Sequence, residues 1–327
     1  MRPAPCRSGC PGCGPHPRSE VLVVLSGATG TGKTGLSLDV AEGIAARGGR
    51  AEIVNADSMQ LYRGMDVGTA KPTVAERRGI PHHCFDLWSV TEAASVAVYR
   101  DAARAAIDGI EARGAVPILV GGSGLYIESV LRELEFPATD AALRAELEQQ
   151  GESLGSDALW RRLAEEDPVA ASRIHSANLR KVVRALEVVT LTGKPFAASL
   201  PDTAPLWRPA LRFTVEVPNE PLAERLAVRA RRMWREQGLL DEVRGLLPTG
   251  LADGPTASRA IGYAQAIAVL GGRMTEEAGL EETIRLTWRV VRRQRAWFGR
   301  DEGATAIAGL GDDGPGRVLA ALAAATA

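Results

Sequence analysis

The sequence predicts an α/β fold in which a parallel sheet is flanked by helices and interrupted by an all-helical insertion. Apolar runs of strand length occur at 21–25, 52–56 and 116–120. Residues 93–112 carry apolar side chains at helical spacing and separate the second run from the third. Strands that alternate with helices form parallel sheets covered on both faces. Beyond Phe136 the strand-like runs give way to helical stretches, which predicts the insertion.

The bulk composition is that of a globular protein without an overall basic field. The chain has 327 residues, of which 45% are hydrophobic and 24% charged, and its formal net charge is −1. Three of the four cysteines fall in the first thirteen residues, so we expect a reducing compartment and no disulfide framework. No apolar run reaches the length of a membrane span. We therefore expect a cytoplasmic protein with no membrane partner, and we expect a monomer.

Composition also suggests where the domains begin and end. Residues 1–19 are rich in Pro, Gly, Arg and Cys, and we expect a disordered extension there. The core is expected to occupy 20–136 and to resume over 202–300, where a strand-like run precedes several helices. The helical insertion is assigned to 137–201. The Gly- and Ala-rich residues 301–327 are expected to form a C-terminal tail.

A phosphate-binding motif follows the first predicted strand. Residues 27–34 fit the P-loop pattern G-x-x-x-x-G-K-[ST] at every fixed position, and a predicted helix follows them. The backbone N–H groups and the helix N-terminus suit a diphosphate or triphosphate. Lys33 adds a full positive charge, and the Thr34 hydroxyl can ligate Mg²⁺, the cofactor that we expect. The predicted phosphate-binding residues are Gly27, Ala28, Thr29, Gly30, Thr31, Gly32, Lys33 and Thr34.

Two further clusters follow the other predicted strands. Asp57 stands in the run Asn-Ala-Asp-Ser-Met-Gln-Leu-Tyr at 55–62, and Gly-Gly-Ser-Gly occupies 121–124. Ligands gather at the carboxyl ends of parallel strands, so these clusters are expected to converge with 27–34. Asp57 can act as a general base or metal ligand, and it can equally cap a helix. The third strand ends in Gly-Gly, without the strand-end acid that NTPases of this class usually keep for Mg²⁺.

Basic residues cluster in the second half of the chain. Arginines recur at spacings of three and four over 225–235 and 285–300, and four tryptophans lie in the same half. The predicted insertion adds Arg180, Lys181 and Arg184. Arginine combined with aromatic rings suits single-stranded RNA. A solvated face paired with nearby acids is the alternative for each arginine alone, whereas the clusters together favour an anionic partner.

Taken together, the motifs resemble those of the bacterial tRNA dimethylallyltransferases, also called tRNA isopentenyltransferases. The resemblance spans roughly residues 21–300, and the block 64–72 beside Asp57 is its most specific part. The matching segments are 27–34, 55–62, 64–72, 81–83, 121–126, 167–168, 173–175, 184–188, 260–263 and 292–294.

The resemblance implies transfer of a dimethylallyl group from dimethylallyl diphosphate to N6 of the adenosine immediately 3′ of the anticodon. By the same resemblance, Asp57 is the general base, while Lys33 and Thr34 with Mg²⁺ neutralise the departing diphosphate. Arg229 matches an arginine that reaches the diphosphate. Ser123 stands where many relatives have threonine, and its hydroxyl can contact the substrate.

The resemblance also implies contacts to the anticodon stem-loop of tRNA. The matching positions are Asp57, Ser58, Met59, Gln60, Ser123, Arg180, Lys181, Arg184, Arg259, Gly262 and Tyr263. Two other functions use the same features: a small-molecule phosphotransferase with ATP at the loop, and a nucleotide-switched RNA-binding protein. Label that moves from dimethylallyl diphosphate into undermodified tRNA without ATP separates the first function from both alternatives.

Overall fold

The computed structural model describes residues 21–196, 204–309, 311 and 313–326. The chain divides into two compact units. One comprises the described residues up to Leu131 and from Trp207 onward, and the other those between Arg132 and Leu206. The extension predicted at 1–19 lies outside the described residues.

A parallel sheet of six strands forms the centre of the first unit, which confirms the predicted fold class. The strands are β1 (Leu22–Gly27), β2 (Ala51–Asn55), β3 (His82–His83), β4 (Val116–Gly121), β5 (Ala210–Glu216) and β6 (Thr305–Ala308). They lie in the order β3-β2-β4-β1-β5-β6, and every neighbouring pair is parallel. Every residue of β1 is buried. Leu22 and Val24 pack into one hydrophobic cluster, and Val23 and Leu25 pack into another.

Three helices of the first unit precede the insertion: α1 (Lys33–Ala45), α2 (Val96–Ala112) and α3 (Gly124–Leu131). Helix α2 begins where the Ser95 hydroxyl accepts a hydrogen bond from the Val98 N–H, a standard N-cap. Its buried face, with Tyr99 and Ile107, joins the hydrophobic cluster that contains Leu22. Helix α1 packs into the other cluster through Val40 and its neighbours. The sheet is thus covered on both faces, as alternation predicts.

The second unit is helical in its described part. Its helices are α4 (Ala141–Leu154), α5 (Ser156–Glu166), α6 (Pro168–Arg173) and α7 (Leu179–Thr192). Helix α7 begins at the cap of Asn178, whose side chain accepts a hydrogen bond from the Lys181 N–H. Its apolar face, with Val182 and Leu186, packs into one cluster with residues of α4, α5 and α6.

The remaining helices of the first unit are α8 (Asn219–Arg235), α9 (Leu239–Leu246), α10 (Tyr263–Leu270), α11 (Glu276–Phe298) and α12 (Gly314–Thr326). The expectation that 301–327 forms a tail is wrong, because these residues contribute β6 and α12. In β6 only Ile307 is buried, and α12 uses Val318, Leu319 and Leu322 to pack against α1. Neither element has the long apolar stripe that makes a helix or strand evident. None of the helices in the described ranges is long and apolar enough to cross a bilayer.

Candidate active site

The phosphate loop lies between β1 and α1 and is shaped as an anion-binding site. Gly32 precedes α1 in the left-handed conformation, with no side-chain cap and no acidic residue in the first turn. The first amide N–H groups of α1 are therefore left for a bound anion. Gly27 has a φ of +143°, and a Cβ there would lie 2.5 Å from the Val215 carbonyl oxygen, so only glycine fits.

Two cations lie half-buried beside this loop. Lys33 Nζ donates a hydrogen bond to the Ala28 carbonyl at 2.6 Å, and Arg229 Nη2 donates one to Thr29 Oγ1 at 2.9 Å. Burial lowers the pKa of Lys33 to about 8; the charge of Asp57 opposes this shift, and that of Arg229 adds to it. Burial also lowers the pKa of Arg229, again opposed by Asp57. Positive charge removed from water in this way favours a bound anion such as a diphosphate.

Asp57 follows β2 in an irregular segment. No helix begins at 57–60, so the alternative in which Asp57 caps a helix is wrong. Its Oδ1 accepts a hydrogen bond from the Met59 N–H at 3.0 Å, which closes a short turn. Its own N–H donates to Asn55 Oδ1 at 3.1 Å. The described residues give Oδ2 no hydrogen bond, which leaves that oxygen for a ligand.

Ser123 joins the third cluster to the segment that carries Asp57. Its hydroxyl accepts a hydrogen bond from the Ser58 N–H at 3.1 Å and lies 3.1 Å from the Ser58 hydroxyl. Gln294 makes a similar link that the sequence analysis did not assign to the site. Its Oε1 accepts from the Thr29 N–H at 2.9 Å, and its Nε2 donates to the Gly122 carbonyl at 2.8 Å. One feature of the sequence could have identified Gln294: it is a polar residue on the core-facing side of α11, between buried Val291 and Phe298.

Two cavities meet at Asp57. The first, of about 710 Å³, is lined by Lys33, Thr34 and other residues of the loop. The second, of about 380 Å³, is lined by Ser58, Met59, Ser123, Arg259, Arg293 and Gln294. Four residues line both: Thr29, Asp57, Thr69 and Arg229. The three predicted clusters therefore converge, and the carboxylate lies where the cavities adjoin.

The predicted tRNA-contacting residues fall into different environments. Arg180 and Lys181 are exposed on α7 in the second unit. Arg184 is half-buried, and its guanidinium donates to Glu187 at 2.7 Å and to the Pro137 carbonyl at 2.9 Å. Within the described residues, Arg184 is thus engaged in holding its own unit together.

Arg259 is exposed beside the second cavity, and Gly262, with a φ of +91°, precedes α10. Tyr263 differs from the prediction, because its side chain is completely buried. Its hydroxyl donates to Glu242 at 2.5 Å, and burial raises its pKa. The tRNA contact at this position stays a prediction, and in this structure the phenol ring packs inside the protein.

The oxygen donors of the first cavity fit a magnesium ion that takes its other ligands from water and from a bound phosphate compound. Thr34 is exposed in the first turn of α1, and Asn55 and Asp57 line the same cavity. The described ranges contain no group of three or more His, Cys, Asp or Glu residues that could hold a metal alone. Magnesium commonly keeps waters and substrate phosphates among its ligands, which matches this sparse donor set.

Comparisons with known proteins agree with the geometry. A protein-family model described as IPP transferase matches residues 60–301. The tRNA dimethylallyltransferase of Clavibacter sepedonicus is 56% identical over 279 residues, which are 85% of this chain and 90% of that protein. The tRNA dimethylallyltransferase of Salinispora arenicola is 52% identical over 306 residues, which are 94% of this chain and 86% of that protein.

Solved structures give the same result. The crystal structure of the full-length tRNA isopentenylpyrophosphate transferase from Bacillus halodurans is similar with a TM-score of 0.67 and 34% identity, covering 94% of this chain and 97% of that one. A eukaryotic dimethylallyltransferase acting on tRNA gives a TM-score of 0.72 at 26% identity, covering 88% of this chain and 73% of that one. The P-loop, the strand-end aspartate, the family model and these relatives together show that the chain belongs to the IPP transferase family, the tRNA dimethylallyltransferases.

Proposed function

We propose that the chain transfers a dimethylallyl group from dimethylallyl diphosphate to N6 of the adenosine immediately 3′ of the anticodon in tRNA, releasing diphosphate. The observation that supports this most directly is the position of Asp57. It lines both the cavity with the phosphate loop and the cavity with Arg259 and Arg293 at its wall. A group at that place is suited to act on two substrates that approach from different sides.

In the proposed reaction, the allylic C–O bond breaks and its electron pair goes to the diphosphate. Lys33, Arg229 and the loop N–H groups stabilise the charge that develops there. A magnesium ion bound with the help of Thr34 would add positive charge at the same oxygens. These groups favour the transition state because diphosphate carries more negative charge once the bond has broken.

The acceptor is the exocyclic N6 amine of adenine, whose lone pair is delocalised into the ring. The new bond forms between N6 and the allylic carbon, and Asp57 takes the proton that N6 loses. The free Oδ2 of Asp57 suits this role because Oδ1 is held by the Met59 N–H. For access, the adenine must leave the stack of the anticodon loop, which costs less than extraction from a duplex.

The second cavity suits the extruded base and its flanking nucleotides. Arg259 and Arg293 are both exposed and line it, so each can neutralise a phosphate. The apolar Met233 and Ile261 in its wall offer packing surface to a base. We further propose that the protein acts in the cytoplasm and as a monomer, and gel filtration tests the second point.

The test is to incubate the protein with undermodified tRNA and labelled dimethylallyl diphosphate, with Mg²⁺ and without ATP. We expect label in RNA, located in the anticodon loop after nuclease digestion. A tRNA with guanosine in place of the target adenosine is the control and should stay unlabelled. In a parallel reaction that contains ATP, ATP turnover with no label in RNA would support the phosphotransferase instead. Tight RNA binding with no product would support the nucleotide-switched binding protein.

A further inference from the structure

We propose that Glu242 is a positioning residue for this reaction, an inference that rests on the proposed function. Glu242 lies on α9 and fixes the backbone of residues 64–72, here called the 64–72 loop. Through that loop it sets the wall that adjoins both cavities and the segment that carries Asp57. No motif in the sequence assigns Glu242 a role.

Glu242 binds three consecutive backbone amides of the 64–72 loop. Its Oε2 accepts hydrogen bonds from the Asp66 N–H at 3.0 Å and the Val67 N–H at 2.7 Å. Its Oε1 accepts from the Gly68 N–H at 3.2 Å. Successive N–H groups that converge on one carboxylate form an anion-binding concavity, made here for a side chain of the same protein. An ionised acceptor makes such hydrogen bonds stronger than a neutral one does.

Tyr263 completes the arrangement from α10. Its hydroxyl donates to Glu242 Oε1 at 2.5 Å, and its side chain is completely buried. The ring packs so closely on the loop that a Cβ on Gly68 would lie 2.4 Å from Tyr263 Cε2. Glycine is therefore required at position 68 for close approach, and the loop backbone is held by a carboxylate and a ring at the same point.

The far end of the 64–72 loop is fixed by Lys71, whose Nζ also lies 2.7 Å from Asp66 Oδ1 and so joins this end to the residues that Glu242 holds. Lys71 has only 3% of its side chain exposed and donates to the Tyr62 carbonyl at 2.9 Å and to Asp86 at 2.7 Å. Between the two anchors, Thr69 lines both cavities and Ala70 lines the first; Pro72, just after Lys71, also lines the first. A shift of the loop at Gly68 would therefore alter the wall of both cavities.

Gln60 links this loop to the segment that begins with Asp57. Its Nε2 donates to the Thr69 carbonyl at 3.1 Å and to the Ala70 carbonyl at 3.3 Å. Gln60 also lines the first cavity. The contacts thus run from Glu242 to the 64–72 loop, and through Gln60 to the turn that holds the Asp57 carboxylate.

The decisive variant is Glu242→Gln, which keeps the size of the side chain but turns an N–H₂ group toward N–H donors. We expect kcat for dimethylallyl transfer to fall about 10- to 100-fold, the scale for a small misplacement of reacting groups. The KM for tRNA should rise as well. Protection against thermal unfolding by inorganic diphosphate should change far less than kcat, because the phosphate loop itself has no contact with Glu242.

Asp241→Asn is the matched control, because Asp241 adjoins Glu242 and its side chain is 80% exposed. Asp241→Asn should leave kcat, the KM for tRNA and the KM for dimethylallyl diphosphate at the wild-type level. Kinetics are measured well below the unfolding midpoint of each variant. If Glu242 only stabilises the fold, the substitution Glu242→Gln lowers the unfolding midpoint and leaves the kinetics unchanged. An unchanged kcat and an unchanged KM for tRNA in folded Glu242→Gln would therefore overturn the proposal.

If Glu242→Gln does not fold, Tyr263→Phe decides the question. It removes one hydrogen bond to the carboxylate, and we expect about a threefold loss of kcat. Unchanged kinetics in Tyr263→Phe would then overturn the proposal. Wild-type protein is assayed in parallel: if it transfers no label to tRNA, the proposed function fails, whereas an active wild type with unaffected variants rejects only the role of Glu242.

Discussion

Gln294 Oε1 accepts a hydrogen bond from the Thr29 N–H at 2.9 Å, although the two residues are 265 positions apart. The same amide donates through Nε2 to the Gly122 carbonyl at 2.8 Å. One side chain of α11 therefore ties the phosphate loop to the glycine cluster after β4. Because both partners are backbone groups, the link fixes the spacing between two strand ends regardless of their side chains.

We predict that Gln294→Ala lowers the free energy of unfolding by about 1–3 kcal/mol, because a donor and an acceptor are left unpaired in a partly buried site. Urea unfolding of the ligand-free protein measures this change. Glu281→Ala, an exposed position on the same helix, is the control and should change stability by less than about 0.5 kcal/mol. Equal stability of the two variants would show that the Gln294 bridge contributes nothing.

A second prediction concerns Lys33 in catalysis. Lys33→Ala should lower turnover on the order of 10²–10³, the scale for loss of one preorganised charge stabiliser. Protection against thermal unfolding by inorganic diphosphate should decrease in parallel. Lys194→Ala, an exposed lysine of the second unit, provides the control. A near-normal rate in Lys33→Ala would mean that the loop does not hold the leaving group.

A third prediction follows from the pKa of Lys33, which burial lowers to about 8 from an ordinary value of 10.5. Below pH 8 the folded protein holds a partly buried charge on Lys33, so folding is penalised at neutral pH. As pH rises from about 8 toward 10.5, the unfolded chain binds more protons than the folded one. The contribution of Lys33 to stability therefore increases across this interval.

Lys33→Met isolates this contribution, since it removes the charge and leaves the other titrating groups in place. We expect the ligand-free variant to unfold at a higher temperature than the wild type at pH 7. The difference should shrink as pH approaches 10.5. Thermal unfolding of both proteins over this pH range checks the prediction, and a difference that does not vary with pH would contradict it.

The elements that the sequence predicted best are those whose residues are buried on both faces or that carry a local motif. β1, β2 and β4 begin and end within two residues of the predicted runs. β3, with two residues, and the mostly exposed β6 carry too few buried side chains to show a period. The predicted clusters at 27–34, 57–60 and 121–124 do line adjoining cavities.

Other parts of the site could not be predicted from the sequence, because they depend on contacts between residues far apart in the chain. Gln294 and Glu242 meet partners that lie more than 170 positions away in the chain. A single glutamate or glutamine in a helix has no local pattern that names such a partner. Tyr263 shows the reverse case: its position matched a tRNA-contacting segment, and that contact stays a prediction, whereas the burial of the ring against Gly68 was not foreseen.

A fourth prediction separates the proton-accepting role of Asp57 from its structural one. Asp57→Asn keeps an Oδ1 that can accept a hydrogen bond from the Met59 N–H. The hydrogen bond that closes the turn, 3.0 Å long in the wild type, should therefore be retained. The amide is a much weaker base, so single-turnover transfer should slow by about 10²–10⁴, the range for loss of general base catalysis. Affinity for tRNA should change little, because the shape of the second cavity is retained.

Asp57→Ala is the informative partner, because it removes both the base and the acceptor of the turn. It should be as slow as Asp57→Asn in transfer and, in addition, should unfold at lower denaturant concentration. Filter binding gives the tRNA affinity, and rapid quench gives the single-turnover rate. If Asp57→Asn loses tRNA affinity while single-turnover transfer keeps its rate, Asp57 is a binding residue, and the base must be sought among the titratable side chains in the wall of the first cavity, such as Glu224 and His82.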